Sequence, residues 1–241
     1  LLCLLLNAYL LHAQQKYEKT VPATGVKKGI VRLEIPAGTL KMNATATQLL
    51  QAQVQYEHAN WKPSLNLNKN NGNVEVKLIQ ENINDIDDND RNEWVVNLSK
   101  NTPLALYLQM GAGESKIDLS NSKVQQLELE AGAVELDVKL SKSDLRKADI
   151  KAGVGELTLD LTGDWDHDLI VDVAGGIGEI NLKLPKNTGV RLETAGLGSQ
   201  NLGNLTKEGN YYRNAALGKS KHTLTIKATG GLGSITVMNE K

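Results

Sequence analysis

The sequence predicts an all-β fold, a single-stranded β-helix (β-solenoid) with coils of about 21 residues and an irregular N-terminal cap. Three observations predict it. Short glycine motifs recur at Gly111 (GAGES), Gly132 (GAVEL), Gly153 (GVGEL), Gly176 (GIGEI), Gly196 (GLGSQ) and Gly231 (GLGSI), at intervals of 21, 21, 23, 20 and 35 residues. Aligned on these glycines, the flanking positions become aliphatic columns. Six residues on lie Ile117, Val138, Leu159, Leu182, Leu202 and Val237; three before lie Leu108, Leu129, Ile150, Val173 and Ala228, with Glu193 as the exception. The Gly196 repeat fits better when shifted by one residue, which puts Val190 and Leu192 in the apolar places. Finally, the 241-residue chain is 40% hydrophobic but only 4% aromatic and has no phenylalanine. A narrow interior filled by stacked Leu, Ile, Val and Ala needs no large rings.

Within each repeat, apolar and polar residues alternate, as in a strand with one buried face. The parity then flips across the glycine. Leu127, Leu129 and Ala131 are odd-numbered, whereas Leu136, Val138 and Leu140 are even. A straight strand cannot do this and keep one face buried, so the chain turns at the glycine, which supplies the backbone angles and the space of a corner. Coils stacked at the inter-strand spacing of about 4.8 Å would form a rod on the order of 30 Å long. An antiparallel sandwich is the competing architecture, but it would not produce columns at this interval.

The remaining elements follow in chain order. Residues 1–13, LLCLLLNAYLLHA, form an uncharged apolar run of signal-peptide length that begins with Leu rather than Met, so it is read as an N-terminally incomplete signal peptide. Cys3, the single cysteine, lies inside this run, which leaves none for a disulfide or a CxxC zinc site. Residues 14–105 are read as the cap, continuous with the rod. It holds a degenerate repeat around Gly38 (PAGTLKM) and strand-like segments at Leu49–Tyr56, Ser64–Asn68, Val74–Gln80 and Trp94–Leu98. Residues 106–241 carry the repeats, with a local insertion from Gly209 to Lys221. The open end coil presents an unpaired strand edge, a route to pairing with a partner.

The upstream LEIPAGTLKM, the segment Asn92–Ser120, the coils AGVGELTLDL and GGIGEINLKLP, and the closing GNYYRNAALGKSKHTLTIKATGGLGSITV together resemble the bacterial toast-rack proteins. These are related to LiaF-like cell-envelope stress proteins and to adhesin-like proteins. The resemblance covers nearly all of the chain after residue 13, and its motifs are structural glycines and aliphatics. It implies a β-helix domain of the cell envelope without catalysis or cofactor. LiaF-like proteins carry transmembrane helices ahead of this domain, where this chain has the short apolar run.

The residues say less about chemistry. With 27 basic and 28 acidic side chains, there is no cationic surplus to neutralise the phosphates of a nucleic acid. The most informative polar column is Glu114, Glu135, Glu156 and Glu179, followed by Ser199 and Ser234, each three residues after its glycine. Stacked carboxylates could recruit Ca²⁺ or a basic peptide; a solvated corner residue is the simpler reading. Glu128, Asp149 and Asp172 form a second acidic column. In DWDHD, Asp164, Asp166 and Asp168 alternate around His167, which allows a polysaccharide-active site as the runner-up function. The acidic loop Ile83–Glu93 lacks the glycine and final glutamate of an EF-hand, and His58, His167 and His222 share no metal-ligand spacing. Trp61, Trp94 and Trp165 are expected at cap or corner positions. The expectation is thus an exported, non-enzymatic envelope scaffold or adhesin-like module with no catalytic residues, metal or cofactor. Its partner would be an envelope protein or glycan. An envelope-stress regulator is a third reading, from the resemblance alone.

Overall fold

The computed structural model describes residues 14–81, 83 and 90–238. The apolar run 1–13 with Cys3, and Asp85, Asp87 and Asp88 of the acidic loop, lie outside the described residues. The N-terminal strands are β1 (Gln15–Val21), β2 (Lys28–Ala46), β3 (Leu50–Tyr56), β4 (Ser64–Asn70), β5 (Asn73–Ile79) and β6 (Asn92–Ser99). The long repeat strands are β7 (Leu104–Asp118), β8 (Val124–Lys139), β9 (Lys147–Asp160) and β10 (Leu169–Lys183). The chain closes with β11 (Gly189–Gly196), β12 (Ser199–Asn201), β13 (Thr206–Glu208), β14 (Tyr211–Arg213) and β15 (Thr223–Met238). A single turn of 3₁₀-helix, Ala59–Trp61, interrupts the strands, and no helix among the described residues is long and apolar enough to cross a membrane.

The centre of the molecule is a parallel stack, β2-β7-β8-β9-β10-β15, with one strand from each repeat. The register puts like over like: Leu106, Leu127, Ala148, Val171 and Ile226 in one line, and Ile117, Val138, Leu159, Leu182 and Val237 in another. Nearly all of these side chains are fully buried, each contributing on the order of 1.5–3 kcal/mol of transfer free energy if an aliphatic larger than Ala. The parity switch read from the sequence is present. In β8, Leu127 and Leu129 are buried before the glycine, and Leu136 and Val138 after it. The segments that connect the strands also bond to one another between repeats, as in Leu119 N–H to the Lys139 carbonyl and Leu140 N–H to the Asp160 carbonyl.

The corner is built differently from the sequence expectation. The left-handed backbone angle falls not on Gly111, Gly153, Gly176 and Gly231 but two residues later, on Gly113, Gly155, Gly178 and Gly233. The leading glycine permits close stacking: a Cβ on Gly132, Gly153 or Gly176 would run into the carbonyl oxygen of the leading glycine one repeat back. In the second repeat Val134 occupies the later position and is buried, and the β8–β9 ladder breaks between Ala133/Val154 and Leu136/Leu157. Gly113, Gly155, Gly178, Gly196 and Gly233 serve both purposes, each with a positive φ and a close approach to a backbone carbonyl of the neighbouring strand.

Chain order and stacking order part company at the end. Strand β15 pairs with β10, and β11 and β12 lie outside it. The side chains give the reason. Strand β15 turns Leu224, Ile226, Ala228, Ile235 and Val237 inward, all buried. At the positions of Ala228 and Ile235 the outer strands carry Thr194 and Gln200, which hydrogen-bond to each other at 2.8 Å. A pair of polar residues costs little at the open end of a core and much in its middle, so the all-apolar strand takes the inner place.

At the other end, β5 pairs with the first arm of β2 and β6 with its second. Strand β4 folds back on β5 through Asn71-Gly72, both at positive φ, the residue pair a two-residue hairpin turn requires. Strands β6, β3 and β1 then run antiparallel to one another. Strand β1 was not recognised in the sequence, where QKYEKT offers a single apolar residue. Only Tyr17 and Val21 of it are buried.

Candidate functional site

The glutamate column is real as a line in space. Glu114 stands opposite Glu135, and Glu156 opposite Glu179, with Ser234 and then Ser199 continuing outward. On the inner side Thr39 and Glu93 extend it into the N-terminal region. The line is interrupted between Glu135 and Glu156, where the ladder breaks at Val134. All four glutamates are exposed. Asn181, largely buried, donates to Glu156 Oε1 at 2.8 Å. Among the described residues no three His, Cys, Asp or Glu side chains converge as a metal site.

The second acidic column is partly balanced. Glu128, Asp149 and Asp172 lie in line, with Lys227 next to Asp172. Lys151 reaches Glu130 at 3.0 Å and Asp149 at 3.9 Å. The Glu130 hydrogen bond, then the charge of Asp149, raise its pKa above the usual lysine value.

The DWDHD carboxylates face outward, each with a separate hydrogen-bond partner. Trp165 and His167 are buried between them, their rings edge-on with centroids 5.5 Å apart. Trp165 Nε1 donates to the Leu161 carbonyl. His167 places Nδ1 2.6 Å from Asp166 Oδ1 and Nε2 2.8 Å from the Leu145 carbonyl oxygen. That hydrogen bond holds Asp166 below the usual carboxylate range, the opposite of what a general acid needs. Asp164 accepts from Asn187, and Asp168 accepts from the Thr223 backbone. The motif pins a connecting segment to its neighbours. Asp90 of the acidic loop pairs with His58 at 3.0 Å, and His58 packs edge-on against buried Trp61.

Two features were missed in the sequence. A buried polar knot joins Gln80 and Asn92: Gln80 Nε2 donates to the Trp61 carbonyl at 2.7 Å, and Asn92 Nδ2 to Gln80 Oε1 at 2.7 Å. The other is an apolar ridge along the corner. The residue after each leading glycine is Ala112, Ala133, Val154, Ile177, Leu197 or Leu232, and from Ala37 to Leu232 they stand in one register line. Val154, Ile177, Leu232 and Leu197 are 49%, 54%, 59% and 88% exposed, so size and exposure both rise toward the β11–β12 end. The signal was legible as one more column in the glycine alignment.

The family described as the N-terminal domain of toast_rack, DUF2154, matches residues 11–144 and, in an overlapping second match, 126–183. The chain belongs to the toast-rack family. Among solved structures, this toast-rack chain is similar to a "putative cell adhesion protein" of Clostridium sporogenes ATCC 15579, with 27% identity over 93% of this chain and 98% of that one, at a TM-score of 0.70. A "putative adhesin" of Bacteroides fragilis NCTC 9343 is 9% identical over 93% of this chain and 97% of its own, at a TM-score of 0.40. The second superposes too loosely to bear on function. No curated protein matches the chain.

Proposed function

We propose that this toast-rack protein is a non-enzymatic, exported, adhesin-like interaction module of the cell envelope, built as a single-stranded β-solenoid of about 21-residue coils. The observation that carries the reading is the end-to-end likeness to the clostridial protein called a "putative cell adhesion protein". The in-register stack supports the solenoid, since successive strands and the segments connecting them both bond to their counterparts one repeat away. In this reading residues 1–13 are a signal peptide, 14–105 the cap and 106–241 the solenoid. The corner glycines Gly111, Gly132, Gly153, Gly176, Gly196 and Gly231 are structural. The flat outer faces bind an envelope protein or glycan through many weak contacts, and the ladder Glu114, Glu135, Glu156 and Glu179 is where a cationic partner would meet the rod.

The test compares a deletion strain with its parent in a surface-adherence assay, with antibody labelling of intact cells to locate the protein. Reduced adherence with labelling of intact cells is expected. Unchanged adherence, or protein reachable only after lysis, would sink the reading. Titration with Ca²⁺ tests the ladder separately: no heat at millimolar metal leaves only the basic-partner version. A reducing-sugar assay over a glycan panel, wild type against Asp166→Asn, tests the polysaccharide-active alternative; no sugar release is expected from either.

A further inference from the structure

The β1 edge and the β11–β12 edge of the branched sheet are finished in opposite ways. Strand β1, the edge at the N-terminal end, exposes Lys16, Glu18 and Lys19, the charges that discourage a strand edge from pairing with another chain. At the other edge β14 covers β11 only at Arg191 and Leu192. Among the described residues no strand pairs with the outer side of the chain from Glu193 to Asn201. Residues 194–206 carry no charged side chain, in a chain that is 23% charged. At the middle of the unpaired stretch 193–201, Leu197 is 88% exposed, at the end of the apolar ridge. A lone exposed leucine is ordinary; a neutral, ungated edge with an apolar knob at its centre is an interaction surface.

What fits this edge is set by its shape. The uncovered stretch 193–201 is centred on Leu197, which is also where the strand turns its corner. A two-fold axis through that corner exchanges the two arms, so β11 of one copy lies antiparallel to β12 of another. Glu193 then faces Asn201, Ala195 faces Ser199, and Leu197 meets its own counterpart. The pairing stops where β14 begins, and beyond Asn201 the chain turns away at Gly203. Parallel continuation of the stack would demand glycines over the corner carbonyls, as Gly198 sits over Gly233. The glycine corner at the far end, in β2, is already flanked by β5, β6 and β7. An isologous interface also brings like residues together; the one charge in this strip, Glu193, is paired with Arg191 at 2.9 Å and meets Asn201 rather than its own counterpart.

We propose that two copies of this chain join tail to tail by antiparallel pairing of the Glu193–Asn201 edge, with Leu197 at the two-fold axis. The polar pair Thr194 and Gln200, which faces the open end of the core, then meets the same pair and seals it. This inference is independent of what the outer faces bind. The edge is short against the roughly 1,600 Å² of a standard interface, so the association belongs in the micromolar range.

Sedimentation equilibrium of the purified protein tests it. The mass should rise with concentration from that of one chain toward twice that value. Leu197→Lys should hold the chain monomeric with an unchanged circular-dichroism melt, since Leu197 is almost fully solvated. In a Cys3→Ser background, Leu197→Cys should cross-link under mild oxidation, because paired antiparallel Cα atoms lie about 4.5–5.5 Å apart, within disulfide reach. Leu67→Cys, exposed on β4 at the other end, should not. A wild type that stays monomeric through high-micromolar concentration overturns the proposal and leaves the edge to a foreign extended segment. A dimer indifferent to Leu197→Lys, or equal cross-linking from the two cysteine variants, overturns it as well.

Discussion

The parallel stack and the N-terminal region bury their apolar surface by different rules. In β7 to β10 and β15 the interior is aliphatic, in line, and fixed by glycines that let each corner sit on the one before. The N-terminal region holds the fully buried Trp61 and Trp94, together with Tyr17 and Tyr56, and closes with antiparallel strands. It fixes itself through side-chain hydrogen bonds, with the Gln80–Asn92 knot reaching the Ala37 carbonyl beside the first corner. Identical layers spaced at one strand separation leave no room for rings of varying size; irregular layers can be shaped around them. Trp165, the remaining tryptophan, keeps to the same rule, since it lies in a connecting segment rather than in the stacked columns.

The strongest test of this contrast is a glycine exchange. Gly178→Ala sets a Cβ into the Gly155 carbonyl at a φ of 133° and should cost at least about 4 kcal/mol by urea denaturation. Gly25→Ala, at positive φ but in open space, should cost only about 1–2 kcal/mol. Equal losses would show that backbone angle, not close stacking, dictates the glycines. Next, Trp94→Ala should cost about 3–5 kcal/mol and Leu129→Ala about 2–5 kcal/mol. Both should shift one cooperative transition, because β2 pairs with β7 along both arms; a split melt for Trp94→Ala alone would make the N-terminal region a separate unit.

Smaller effects are electrostatic. The pKa of Asp166 is depressed in the folded protein by His167, so the stability it contributes is present above the carboxylate's unfolded pKa. It is lost as pH falls through the folded one. The melting temperature of Asp166→Asn should therefore lie below wild type at neutral pH and converge on it in acid; a gap that persists at low pH would assign the loss to packing. Least of all, Glu135→Gln relieves like-charge crowding in an exposed ladder and should raise the melting temperature slightly at low salt, with no difference at about 1 M.

Much of the stack was legible because a regular parallel repeat writes its core as a period. Leu129, Ile150 and Val173 share a line in the sequence and in the structure. The glutamate ladder was legible for the same reason, though not its break at Val134, which follows from one corner lacking the later glycine. Strand β1 and the Gln80–Asn92 knot were not legible. Each depends on residues distant in the chain, and neither repeats.

The sequence by itself determined the all-β character, the glycine motif at which each repeat turns and which residues face inward, since alternation and period are local consequences of strand geometry; which glycine of the motif takes the left-handed angle it did not. It also recorded the neutral stretch 194–206 and the growing ridge from Ala112 to Leu232. Only the tertiary structure decided that β15 slips between β10 and β11, leaving the Glu193–Asn201 edge outermost. That order is a competition between two strands for the same neighbour, and it turns on burying Ala228 and Ile235 rather than Thr194 and Gln200.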